Sequence, residues 1–516
     1  MLKKTIGYLL FIVFWTTLGC ATPPQSTDDS PQDTEPEAYE SPESTDDGSQ
    51  PTDSDEAQQA DEAFQSTAIN EDEEPQQRSL DDFHSIAEEQ RQRHGQQEVG
   101  GIPISEVGDQ LLLLNGVDDL SEQEARSLTD FSGGLMSLPD LTELSSESAR
   151  ELVAWEGRWL LSLTALDELD AATAEELAAW EGQYLELDGL RNLEPSAAAG
   201  LASWEGRRLA INGLDSLGVE AATALSQWSG GNLELNSLQT IGDEEAAALA
   251  DWDGQWLSLP GLTTLQDKAA FELARWSGEW LDLSGIQALD ESLARELSDW
   301  SGGWLMLDGL EEIDANAATA LASWEGEWLA LHGLTEFDKN TLSSLSAWDG
   351  VALGLDGIST LDQSIAAAIA QWEGWRLDLN GLDSLDVDTA RALAQCGGER
   401  LYLEGLKTLP PDVADMLSNW EGSMLYINGI ESLNTESAAA LRQWDGDRLY
   451  INGLQKNERP DGRRIRRMGR SLAATQRSAI SKCSLKPVRP QNHRPGTKKP
   501  QRRQRNATAV GCFTGG

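Results

Sequence analysis

The chain has 516 residues, 88 Asp and Glu against 38 Lys and Arg, a net charge of −50 and four cysteines. A surface that acidic repels nucleic-acid phosphates and anionic lipid head groups, which argues against a nucleic-acid partner. Four scattered cysteines build no disulfide framework. A chain this long exceeds one simple core unless it stacks repeats that each touch only their neighbours.

Residues 1–20 read as an export signal. Lys3 and Lys4 make a positive start, and residues 6–15 are an apolar stretch too short for a comfortable membrane span. Thr17-Leu18-Gly19-Cys20 follows. It resembles the lipobox of bacterial lipoprotein signal peptides, with Thr17 where the motif usually has Leu. The resemblance implies a lipid on Cys20, which becomes the new N-terminus, and hence an exported, membrane-anchored lipoprotein. Ala21 after the cysteine is compatible with sorting to the outer membrane, facing the periplasm or the cell surface. An ordinary secretory signal or an uncleaved anchor is the alternative, and each of these also exports the chain.

Residues 21–100 are rich in Pro, Ser, Thr, Gln, Asp and Glu, with 23 acids against Arg78, Arg91 and Arg93. Such a segment buries too little apolar surface to offset its ordering entropy, so a disordered acidic tether is expected. As a coil it spans roughly 50 Å. Residues 79–97 have the composition of a short helix that would cover the first repeat.

Residues 107–454 hold fifteen copies of one phrase. Aligned on the first leucine of LxLxGL, the copies run from Leu112 and Met136 to Leu449 in steps of 24 residues, with one step of 25 between Met136 and Leu161. A period this regular is the signature of a stacked repeat. Leu209-Ala210-Ile211 alternates as a short strand with one buried face does. Gly213 allows a turn, and Asp170 is a fitting N-cap for a helix, as are Ser121, Ser145, Asp290, Asp314, Asp338, Asp362, Asp386 and Asn434 in the same column. Ser121 with Glu124 makes a capping box. Ala174, Leu177 and Trp180 fall on one helix face, and the glycine two residues after each Trp (Gly182, Gly206, Gly230) suits a left-handed residue that ends a helix. The tryptophan column at the helix end is expected in the core, and Cys396 stands in that column as a small buried hydrophobe.

One strand and one helix per unit predict an α/β fold, a right-handed solenoid with a parallel sheet about 70 Å long. The pattern resembles leucine-rich repeats. It is similar to a variant of exported bacterial proteins in which LxLxGLxxL precedes an Ala-rich helix. Two departures stand out: Leu fills the place of the usual Asn ladder residue, and Gly stands where the phrase normally opens with Leu. The resemblance implies an exposed sheet face. Members of that broad family mostly bind proteins, peptides or glycans, and no single activity follows.

At Gln455 the period stops. From there 17 Lys and Arg face only Glu458 and Asp461, so residues 455–516 carry +15 and everything before them −65. Two readings compete for this tail. One is a disordered basic arm that binds anionic surfaces or folds back on the acidic solenoid. The other is a reading-frame error or foreign sequence. Cys483 and Cys512 lie in this tail and could pair in an oxidising compartment.

Function is sought at the positions the phrase leaves free. Three columns of strand residues are expected to face outward: before the first Leu, between the two Leu, and before Gly. The first holds Trp256, Trp280, Trp304 and Trp328 in consecutive units. Asp282 and Asp308 lie beside them, and Arg376, Arg400, Tyr402, Tyr426 and Tyr450 follow. Aromatic faces flanked by hydrogen-bonding groups suit a partner's apolar side chains or sugar rings. The competing reading is a ladder whose members only pack against one another. Histidine occurs only at positions 84, 94, 332 and 493, and no HExxH, GxSxG, P-loop or paired CxxC appears. No catalytic residue, cofactor or metal site is therefore assigned, and an enzyme is not expected. The preferred reading is a lipid-anchored protein that binds a protein or peptide partner through its sheet face. A glycan-binding module and a structural spacer of the cell envelope are the alternatives.

Overall fold

The computed structural model of the chain describes residues 110–454, together with the backbone of Glu98–Val99 and Ile102–Pro103, which pair antiparallel. The export signal with Cys20, the acidic tether with its short helix, and the basic tail with Cys483 and Cys512 lie outside the described residues.

Fifteen three-residue strands, from Leu111–Leu113 to Arg448–Tyr450, form one parallel sheet in which each strand lies beside that of the preceding repeat. The leucines aligned from the sequence are register partners, Leu112 with Met136, Met136 with Leu161, and at the other end Leu425 with Leu449. Every strand but the last leads to a helix of seven or eight residues, the first Glu122–Leu128 and the last Thr435–Leu441. This is the expected α/β solenoid of leucine-rich-repeat type. The extra residue of the 25-residue step is absorbed in a turn. The N–H groups of Trp159 and Leu160 both donate to the Gly134 carbonyl, as those of Arg207 and Arg208 do to Gln183. Arg158 is therefore the inserted residue, and the strands on either side stay in register.

The caps follow the sequence. Ser121 and Glu124 form the reciprocal box, and Asp170 accepts from the Thr173 N–H at 2.7 Å. Ser145, Asp290, Asp314, Asp338, Asp362, Asp386 and Asn434 cap their helices in the same way. Helices Pro195–Leu201 and Pro411–Leu417 instead begin on a proline, which has no N–H to satisfy.

The core lies between sheet and helices and is lined by the leucines of every repeat. Two expectations about it need correction. Trp180 is not on the helix, which ends at Leu177 with Ala178 as its C-cap. It stands in the turn beyond, and its equivalents stack from repeat to repeat. From Trp155 to Trp372 successive ring centroids are 5.8–6.1 Å apart with planes within 7° of parallel. Most of the indole N–H groups donate to the carbonyl of the preceding tryptophan, Trp204 to Trp180 at 2.9 Å for example. The turn after the helix is what sets the rings parallel at the repeat spacing. Cys396 interrupts this ladder and is buried, and burial pushes its thiol up to about 12.

The glycine after each tryptophan is the second correction. Among the described glycines only Gly116 has a positive φ, 76°. A Cβ on Gly182 would instead stand 2.0 Å from Cζ2 of Trp180. The residue is glycine because an indole lies across it, not because the helix ends left-handed. Gly213 is likewise set by packing: a Cβ there would meet the Asp188 carbonyl oxygen at 2.1 Å, so consecutive turns approach backbone to backbone.

Candidate binding surface

The outer face of the sheet carries the three columns, and their side chains are not equally open. The middle column, expected to face outward, is largely covered. Glu186, Ser258, Ala330 and Asp378 are all buried. At Glu186 and Asp378 the reason is that a long first-column side chain, Arg208 or Arg376, lies against the carboxylate. Arg208 shows how. Its guanidinium donates to both Glu234 oxygens, at 2.6 and 2.8 Å, and stands 3.7 Å from Glu186 on the other side. Ala210, on the same strand between those carboxylates, leaves the room and is fully covered. Burial pushes the Glu186 carboxyl up and Arg208 pulls it back. On Arg208 burial works against the charge, and the bonds from Glu234 outweigh it.

The aromatic candidates come together in a single file. Trp256 stacks on Trp280 at 5.4 Å, Trp280 on Trp304 at 3.8 Å, and Trp304 on Trp328 at 4.3 Å between centroids. The next strand, Ala352–Gly354, offers only small side chains in the first two columns. Arg376 reaches across it. Its Cζ lies 4.4 Å from the Trp328 ring and 4.4 Å from the Tyr402 ring. The file then continues in the middle column, Tyr402 on Tyr426 at 3.9 Å and Tyr426 on Tyr450 at 4.3 Å, with planes within 7°. Seven aromatic rings and one guanidinium thus run over nine strands, about 40 Å at the spacing of a sheet. Arg376 is fixed by Asp378, which accepts at 2.8 Å from Nε and lies 2.8 Å from the second nitrogen. Burial opposes its charge, and Asp378 outweighs that effect and keeps the guanidinium charged.

Stacking decides what this strip presents. The faces of the inner rings are taken by their neighbours, and the rings are half-buried, so their edges are what meets solvent. The Trp304 indole nitrogen is buried without a hydrogen-bond partner, a cost the two close ring contacts must offset. Burial, and the neighbouring tyrosine hydroxyls, push the Tyr426 phenol well above its usual range.

The remaining candidates take other places. Asp282 is half-buried and accepts from the Ser284 N–H at 2.9 Å and the Ser258 hydroxyl at 3.2 Å, and burial pushes its carboxyl up. Arg400 leaves the file and lies with its Cζ 3.9 Å from the exposed Trp375 ring. Asp308 belongs to the third column, where side chains accept from the backbone of the following repeat. Asp308 accepts from His332 N–H at 3.0 Å, His332 Nδ1 from Asp356 N–H at 3.2 Å, Asp356 from Asn380 at 2.8 Å and Asn380 from Glu404 at 3.1 Å. His332 is thus half-buried in a ladder. The ladder that the Leu column lacks is supplied here, before the glycine. Its signal in the sequence is the run of Asp, Asn, His and Glu at that column. The Arg208 and Arg376 bridges had a fainter one, a small residue beside each arginine.

No protein-family model matches the chain, and no curated protein sequence does either. Among solved structures it is similar to a chain of the Toll–Spatzle complex of Drosophila, at 12% identity over 68% of this chain and 47% of that one, TM-score 0.38. The glycosylated form of that complex gives 13% identity over 63% and 47%, TM-score 0.36. A chain of the TLR13–ssRNA13 complex gives 15% identity over 67% and 62%, TM-score 0.36. The chain therefore spans about half to three-fifths of the length of those chains.

Proposed function

We propose that this is an exported protein, held to a membrane by a lipid on Cys20, that binds a protein or peptide partner with the outer face of its sheet. The observation that carries the reading is the aromatic file from Trp256 to Tyr450, which offers ring edges along about 40 Å of sheet. Ring edges between fixed ion pairs suit the apolar side chains and carbonyl groups of a polypeptide. A sugar ring stacks on an aromatic face, and these faces are taken, so the glycan reading is the weaker one. The arginines at Arg208 and Arg376 are already bonded to carboxylates, which favours binding over catalysis.

Replacing Trp256, Trp280, Trp304 and Trp328 together with alanine tests the reading. Capture of partners from solubilised envelope should be lost while the folded solenoid remains by circular dichroism. Undiminished capture by the folded variant would refute it. The mutual stacking also favours a second reading, a stiff spacer of the envelope. Normal envelope mechanics in a deletion strain would count against that one.

A further inference from the structure

One rung of the third-column ladder differs in kind from the rest. The Asp356 N–H donates to Nδ1 of His332 at 3.2 Å. The other rungs of this kind end on an oxygen of Asp188, Asn212, Asp308, Asp356, Asn380 or Asn428. An amide oxygen does not titrate, and a carboxyl that takes a proton still has a carbonyl oxygen to offer. An imidazole that takes a proton has donors only. Among the described residues, His332 is thus the one rung that a single proton turns from acceptor to donor. The seat of its ring is built into the sequence. A Cβ on Gly354 would stand 2.4 Å from Cε1 of His332 and 2.8 Å from Nε2, so the imidazole lies across that glycine. Gly354 is the only glycine of the middle column, as His332 is the only histidine of the third.

We propose that His332 is a proton-operated joint in the outer face of the sheet. With Nδ1 bare, the ring holds the Asp356 N–H. With Nδ1 protonated, it releases that N–H and donates instead to Asp356 Oδ2, which already lies 3.4 Å away. The second arrangement draws on a carboxylate in use, because Asp356 accepts from the Asn380 N–H through Oδ1 and from Asn380 Nδ2 through Oδ2. One proton therefore disturbs two consecutive rungs. The charged groups around the ring come from three other repeats. Asp308, in the repeat before, accepts from the His332 N–H, and Asp356 stands in the repeat after. Asp378, paired with Arg376, comes from the repeat beyond that. Burial pushes the Asp378 carboxyl up, Arg376 chiefly pulls it back, and a charge on His332 pulls in the same direction. Asp378 is also what fixes Arg376 between Trp328 and Tyr402, so the joint lies beside the place where the aromatic file changes column.

Histidine changes charge between about pH 8 and 5, so the joint works in that range, and testing it needs no binding partner. Nuclear magnetic resonance of the full chain, labelled at its four histidines and with His332 assigned by its absence from H332N, reads the tautomer and the titration. The expected result is a bare Nδ1 at about pH 8 that gains a proton by about pH 5. Over the same range the Asp356 amide, corrected for intrinsic exchange, should lose hydrogen-exchange protection roughly tenfold or more. H332N supplies an amide oxygen, as Asn380 does for Glu404, and should keep the rung closed throughout. H332A removes the acceptor and should leave it open throughout. A protonated Nδ1 in the neutral ring, an imidazole that stays neutral down to about pH 5, or Asp356 protection that ignores the protonation would each overturn the proposal. A pH step that persists in H332N would also overturn it, by assigning the response to Asp378.

Discussion

Cys396 is the one gap in the buried tryptophan ladder, and filling it is a demanding test of how the repeats are built. The position keeps every other feature of its column. Gly398 stands two residues on, as Gly374 and Gly422 do in the neighbouring repeats, and the Trp420 indole donates to the Cys396 carbonyl at 3.1 Å. Cys396→Trp should therefore place an indole between Trp372 and Trp420 at the spacing of about 6 Å seen elsewhere. Two new stacked pairs contribute about 0.5–1.5 kcal/mol each, before any gain from apolar area. Against this stands overpacking, about 1–3 kcal/mol where a site has closed around a small residue. The retained glycine decides the sign, because it leaves the surface on which an indole lies, and a net stabilisation of roughly 2 kcal/mol is expected. Urea unfolding would measure it. Hydrogen exchange at the strands Arg376–Asp378, Arg400–Tyr402 and Met424–Tyr426 would localise it, since a repeat array need not unfold in one step. Destabilisation by 1 kcal/mol or more, or exchange that accelerates in those strands, would refute the view that the column is one interchangeable series.

Other expectations concern the glycine column, the aromatic file and the carboxylates. Gly254→Ala puts a methyl 1.9 Å from Cζ2 of Trp252. The ring must move, so a loss of about 2–3 kcal/mol is expected in thermal or urea unfolding, against near-neutrality if the glycine served only backbone freedom. Trp304→Phe keeps a stacking ring and removes the buried indole N–H, so in urea unfolding it should cost clearly less than Trp304→Ala, which loses both ring contacts. The two kinds of aspartate should show opposite pH dependence. Backbone N–H bonds, Thr389 first, hold the Asp386 carboxyl below its usual range, so its stabilisation is present above about pH 4 and is lost as pH falls through the folded value. Asp386→Ala should cost about 1 kcal/mol at neutral pH and less in acid. Burial raises Asp282, so the folded state binds its proton more tightly and stability is lost as pH rises from about 4 through the folded value. Asp282→Asn keeps an acceptor for Ser284, and its stability profile should be flatter across that window, with no loss at pH 7.

The period, the register and the caps were legible in the sequence because each depends on spacing along the chain. Leu112 and Leu449 share a column whatever the side chains around them do. The cause behind the invariant glycine was not legible. A glycine required by φ and a glycine required by an overlying ring leave the same letter at Gly182, and only the position of the Trp180 indole separates them. On the outer face the Trp run from Trp256 to Trp328 was evident, but its continuation was not. Arg376 joins that run to Tyr402 by crossing a strand and changing column, and a column-by-column reading treats those residues as unrelated. The covering of the middle column was hidden for a similar reason. Whether Asp378 is open or buried depends on which way the arginine two residues before it leans.

The buried ladder also has an optical consequence. From Trp155 to Trp372 ten indoles lie nearly parallel at about 6 Å, close enough for their transition dipoles to couple and for excitation to migrate among them. Near-ultraviolet circular dichroism of the protein should thus be dominated by coupled rings rather than by a sum of isolated ones. Fluorescence should leave from whichever member lies lowest in energy, strongly depolarised by transfer along the row. Cys396 divides that row into arrays of ten and two. Loss of order in any single repeat then shortens the array and alters the spectrum, so the molecule carries a built-in reporter of where its stack has opened.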